Sequence, residues 1–73
     1  MDRDDLDELS RCERRALLVW RLCEGVHIST AEAARLLDVT RLSARRFLNA
    51  IGRVVPIYLD DSTNPPRWRR VRE

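Results

Sequence analysis

STAEAARLLDVTRLSARRFLNAIG, Ser29 to Gly52, decides the fold, because it holds two helix starts separated by a joint with room only for a tight corner. Ser29 is followed three residues on by Glu32. A Ser hydroxyl at a helix start accepts from a free amide of the first turn while the Glu reaches back to the cap's own N–H, a reciprocal capping box. The helix it opens runs to about Leu37. Thr40 then supplies a second capping hydroxyl, and only Asp38 and Val39 remain to turn the chain. So short a joint forces the two helices to cross steeply, as in a helix-turn-helix.

In the second helix of the pair, about 41–51, Ala44, Phe47, Leu48 and Ile51 recur at the spacing of one buried stripe. At about 100° per residue, Leu42, Arg46 and Asn49 fall on the far side, with Ser43 and Arg45 at its flanks. A helix with a buried apolar stripe and an outward cationic face has the layout of a recognition helix in the DNA major groove.

Working outward, the N-terminal side opens with an acidic stretch, residues 1–9, expected to fray and to stand away from a polyanion. Residues 10–73 form the folded domain. Ser10 and Glu13 make another capping box, and the helix to Glu24 places Leu9, Ala16, Leu17, Val19, Trp20 and Cys23 on a broad apolar side. Arg14, Arg15 and Arg21 fall largely off it. Trp20, its largest side chain, is expected to anchor the core. Gly25 suits the helix C-terminus. Val26–Ile28 is an apolar run long enough for a bridge-like strand, and His27 within it has no partner at a readable catalytic spacing.

On the C-terminal side, Val54–Leu59 is β-branched or aromatic at most positions and reads as a strand. Ser62–Pro66 is a dense turn cluster, and Arg67–Arg72 reads as the returning strand of a hairpin. Pro56 must lie at a strand start or on an edge, since it has no N–H to donate. Trp68 and Val71 differ in parity, so a bulge or an early strand end is required. Trp68 is expected on the core beside Ile57 or Leu59, with Arg67 and Arg69 on the other side. The order of elements is that of a mainly α domain with a small β-hairpin: a winged helix-turn-helix, three helices plus a wing at about 56–72.

Charge is distributed unevenly. Net charge is only +2, but residues 1–38 hold six Arg against nine acids and residues 39–73 eight Arg against three. The basic half begins at the proposed recognition helix, the electrostatic footprint of a nucleic-acid surface. Apolar content of 44% and charged content of 36% fit a folded domain with a heavily charged surface. Cys12 and Cys23 lie eleven residues apart in one helical segment, roughly 16 Å of rise and beyond disulfide reach. With His27 they fall short of a structural zinc set, so two reduced thiols and no metal or other cofactor are expected. No apolar run is long enough to span a membrane and no signal-peptide pattern is present. A cytoplasmic protein, associated with the bacterial nucleoid through DNA, follows as the expectation.

The string ISTAEAARLLDVTRLSARRFLNAI, then VPIYLDD, a short turn and RWRRV, resembles the N-terminal winged helix of bacterial DeoR-type transcription regulators, especially those in which it precedes a WYL ligand-sensing domain. The similarity runs from about Leu17 to Val71. It implies transcriptional control through operator binding as a homodimer, with an effector domain C-terminal to this chain or, alternatively, a small stand-alone regulator of the kind a phage or mobile element encodes. Asp38 stands at the turn position usually filled by Gly, and Asp visits left-handed conformations more readily than most residues.

The candidate DNA-contacting residues follow. Arg41 and Ser43 are placed for base edges and Thr40 for a phosphate, where the helix start meets the groove. Along the outward face Arg46 is oriented for a guanine and Arg45 for a phosphate, with Leu42 and Asn49 beside them. In the wing Asn64, Arg67 and Arg69 are placed for a phosphate or the minor groove. The rival class is a winged helix that binds protein, an adaptor or a small phage or mobile-element regulator, for which exposed Leu42 is the favouring feature. An enzyme is not expected: the sequence has no Gly-rich phosphate loop, no readable carboxylate pair and one His.

Overall fold

A computed structural model describes residues 9–71; the rest of the acidic stretch, and Arg72 of the expected second strand, lie outside the described residues. The elements are α1 (Arg11–Cys23), β1 (Ile28–Ser29), α2 (Thr30–Leu37), α3 (Arg41–Ile51), β2 (Ile57–Asp60) and β3 (Arg67–Arg70). Three helices pack with a three-stranded antiparallel sheet of order β1-β3-β2 in a winged-helix arrangement. The hairpin expected from the sequence is therefore extended by β1, where Ile28 stands opposite Trp68.

Local chemistry sets each boundary. Both capping boxes form: the Ser10 and Ser29 hydroxyls accept from the Glu13 and Glu32 amides at 3.1 Å, and each Glu carboxylate accepts from its cap's N–H. The Ser10 hydroxyl, then its N–H, holds the Glu13 carboxyl below its ordinary range. At the other end of α1, Gly25 takes φ +93 and the Val26 and Gly25 amides close back onto the Arg21 and Leu22 carbonyls at 3.0 and 3.1 Å, the double closure of a Schellman motif. The α2 helix ends the same way without glycine. Asp38 sits at φ 57, ψ 51, and the Val39 and Asp38 amides donate to the Ala34 and Arg35 carbonyls. Asp at a left-handed position is thus what allows the two-residue corner.

Leu18, Leu22, Ile28, Ala33, Leu36, Leu37, Ala44, Leu48, Ile57 and Trp68 form the buried centre, with Leu17, Phe47, Ile51 and Val55 packed against it. The expected stripe of α3 is on the inside. Trp68 is buried with its indole N–H donating to the Thr30 hydroxyl at 3.2 Å, which removes the cost of enclosing that donor. Its neighbours across the sheet are Ile28 and Leu59, while Ile57 pairs with Arg70.

Trp20 corrects the sequence reading. It is 61% exposed, and the residues of α1 that are wholly buried are Leu18 and Leu22, each about 160° around the helix from Trp20 at 100° per residue. Leu18 and Leu22 stand among Arg11, Arg14 and Arg15, away from the apolar side of Ala16, Trp20 and Cys23, so the stripe in contact with the core is chosen by what it meets. Arg14, on the arc of Leu18 and Leu22, donates to the Leu36 carbonyl at 3.0 Å and the Leu9 carbonyl at 3.3 Å. It thereby satisfies a carbonyl of the last turn of α2 that has no partner within the helix. Trp68 already fills the aromatic place in the centre.

The strands are shorter than the apolar runs. Val54, 82% exposed, and Val55 belong to the turn after α3, and β2 starts only after Pro56, on an edge of the sheet. The parity conflict between Trp68 and Val71 is resolved by an early end: β3 stops at Arg70, and the Val71 amide donates to the Pro56 carbonyl at 2.7 Å outside the ladder. Arg70 donates to the Cys23 carbonyl at 2.8 Å, tying the sheet to the end of α1. Cys12 and Cys23 are free, exposed thiols.

Candidate nucleic-acid interface

The outward face of α3 is built by the same periodicity that buries Ala44 and Leu48. Arg41, Leu42, Ser43, Arg45, Arg46 and Asn49 are all exposed. They divide into a crest and two flanks. Arg41, Leu42 and Arg45 form one wall of a groove of about 550 Å³, closed by Ser29, Thr30 and Ala31 at the start of α2 and by Leu59, Pro65 and Pro66 of the hairpin. Arg46 and Asn49 continue the crest beyond Leu42. Ser43 turns to the other flank, where a small recess of about 70 Å³ is lined by Arg11 and Arg15 of α1 with Leu37, Val39 and Phe47.

Thr40 caps α3, accepting from the Ser43 amide at 3.2 Å and donating to the Ser43 hydroxyl at 3.1 Å. The Thr40 and Ser43 hydroxyls thus lie together at the start of α3. Arg41, Arg45, Arg46 and Arg67 are exposed, and the ion pair formed among the described residues involves none of them.

That ion pair joins Arg69 and Asp60 at 3.1 Å in the hairpin. Asp60 also accepts from the N–H and hydroxyl of Ser62. The Ser62 hydroxyl, then its N–H, then Arg69 hold the Asp60 carboxyl below its ordinary range. Arg69, half-buried, braces the hairpin through one of its guanidinium nitrogens. Arg70 likewise gives one guanidinium N–H to the Cys23 carbonyl. Of the wing candidates, Asn64 at the turn, before a cis peptide bond to Pro65, and Arg67 on β3 stay exposed.

Two cations beside Ser43 were not among the sequence candidates. Arg11 and Arg15 come from α1, and the Arg15 guanidinium lies 5.5 Å from the Phe47 ring centroid, within cation–π range. Nothing in the local sequence marks them, because tertiary packing alone brings α1 alongside α3. The apolar wall of the groove, Leu59, Pro65 and Pro66, is also unmarked in the sequence, where these residues read as strand and turn.

Among the described residues no group of three or more His, Cys, Asp or Glu side chains is placed to hold a metal ion, and no helix is long and apolar enough to cross a membrane. Compared with known proteins, the chain matches no family model, no curated protein and no solved structure.

Proposed function

We propose that this domain binds double-stranded DNA sequence-specifically, as a transcription regulator or the DNA-binding part of one, with α3 in the major groove and the hairpin on the backbone. The observation that carries this reading is the row of exposed guanidiniums Arg41, Arg45 and Arg46 on a helix whose opposite side is locked into the core. An Arg on a rigid helix is pre-organised for bidentate contact with guanine or phosphate. The start of α2 and the hairpin flank that helix, which suits a site that straddles a strand backbone. The same order of elements supports kinship with the DeoR-type winged helices that precede WYL domains, acting at the cytoplasmic nucleoid.

A single module of this kind covers about 600–1,000 Å², so a homodimer on two half-sites is proposed. Exposure of Trp20 with Ala16 and Cys23 on the outer side of α1 favours that helix as the contact. Sedimentation at micromolar concentration tests it: a strictly monomeric protein with tight operator binding contradicts it.

The DNA reading is tested by fluorescence anisotropy on random duplex DNA across a salt series. With Arg41, Arg45, Arg67 and one of Arg11 or Arg15 each neutralising a phosphate, the logarithmic slope should be roughly −3.6. Absent or salt-indifferent binding overturns the reading and leaves the protein-binding alternative, which the apolar wall of the groove favours.

A further inference from the structure

Leu42 is 59% exposed at the second residue of α3, in a position that folding does not require to be apolar. It stands on the crest of the helix, one turn before Arg46. The groove it lines is also lined by Leu59, Pro65 and Pro66 and by Arg41 and Arg45, and among the described residues no acidic side chain lines it. Apolar and cationic side chains thus share one surface, which a partner offering anionic groups beside a small apolar one complements. A duplex meets that description at one kind of site. Phosphates supply the anions, and along the base edges of the major groove the apolar group is the C5-methyl of thymine.

We propose that Leu42 is a specificity-determining residue that reads a thymine methyl in the major groove. The inference rests on the duplex-DNA reading above and deepens it. Four residues of helix rise about 6 Å, and successive bases along a strand are about 3.4 Å apart. The thymine met by Leu42 and the guanine met by Arg46 therefore lie within about two base steps of each other.

The test uses the full chain and the duplexes it selects from a random pool. Each thymine of a bound site is replaced singly by uracil, which removes the methyl and leaves every hydrogen-bonding group in place. At one thymine per half-site the affinity should fall about fourfold, the effect of losing one buried methyl-sized group, and that thymine should lie within two steps of a guanine sensitive to Arg46→Ala. In L42A the same uracil substitution should have no effect. The variant's fold is checked by its melting curve, which an exposed residue leaves nearly unmoved.

If wild-type protein tolerates every uracil within twofold while its salt-dependent binding persists, Leu42 does not read thymine and the DNA reading stands. A uracil response that persists in L42A also overturns the assignment, by giving the methyl contact to another residue. Absence of salt-sensitive duplex binding overturns both readings together.

Discussion

Replacing Trp20 and Leu18 separately by alanine should invert the order that side-chain size suggests. Leu18 is fully enclosed, and Leu→Ala at such sites costs about 2.7–5.0 kcal/mol. A chain of 73 residues has a stability of roughly 4–11 kcal/mol at about 0.05–0.15 kcal/mol per residue, so this one change removes a large share of it. Trp20 is 61% exposed. At most two-fifths of an aromatic that buries about 150–250 Å² when enclosed is then withdrawn from water, roughly 60–100 Å². At about 25 cal/mol per Å² this is an upper bound of roughly 1.5–2.5 kcal/mol, and alanine recovers some tenths through its better helix propensity. Trp20→Ala should therefore cost below about 2 kcal/mol, where a buried Trp would cost about 3–5.

Urea unfolding followed by circular dichroism measures both variants on the same scale. Leu18→Met, a swap that usually costs below about 1.5 kcal/mol, keeps the comparison readable if Leu18→Ala is too unstable to fold. The Trp20 variant leaves buried Trp68 as the remaining tryptophan, so its fluorescence should be blue-shifted and poorly quenched by acrylamide relative to wild type. A loss of 3 kcal/mol or more at Trp20 with little loss at Leu18 would refute the placement of α1. If α1 mediates pairing, the same Trp20 variant weakens self-association more than about tenfold, as aromatic interface anchors do.

Arg46→Ala should weaken binding by about 1–3 kcal/mol on the selected sequence and by less on others; a uniform loss across sequences would demote Arg46 to a backbone contact. Asp38→Gly should raise the melting temperature by a few degrees, since glycine occupies the left-handed corner without the steric cost a side chain meets there, and a lowered melting point would contradict that account of the corner. The Asp60 carboxyl is held below its ordinary range, first by the Ser62 hydroxyl, then by the Ser62 N–H and Arg69. Its contribution to hairpin stability is therefore complete above the unfolded value of about 3.9 and lost as pH falls through the lower folded value. An NMR titration placing the Asp60 midpoint at or above that unfolded value would contradict the clamp.

The sequence alone determined the local features of this protein. Ser10, Ser29 and Thr40 set the three helix starts, Gly25 and Asp38 the two left-handed corners, and Ala44, Phe47, Leu48 and Ile51 the inner stripe of α3, because each depends on groups only a few residues apart. The exposed arginines of α3 followed from the same period. Tertiary structure decided what depends on distant partners. It turned Trp20 outward and Leu18 and Leu22 inward, against the side that the helix's own apolar pattern favours, because contact with Leu36, Trp68 and their neighbours decides which residues are enclosed. It also paired Arg69 with Asp60 and Arg70 with the Cys23 carbonyl, brought Arg11 and Arg15 beside Ser43, and placed Leu42 in one groove with Leu59 and two prolines, since reach across space follows from packing and leaves no trace in residue spacing.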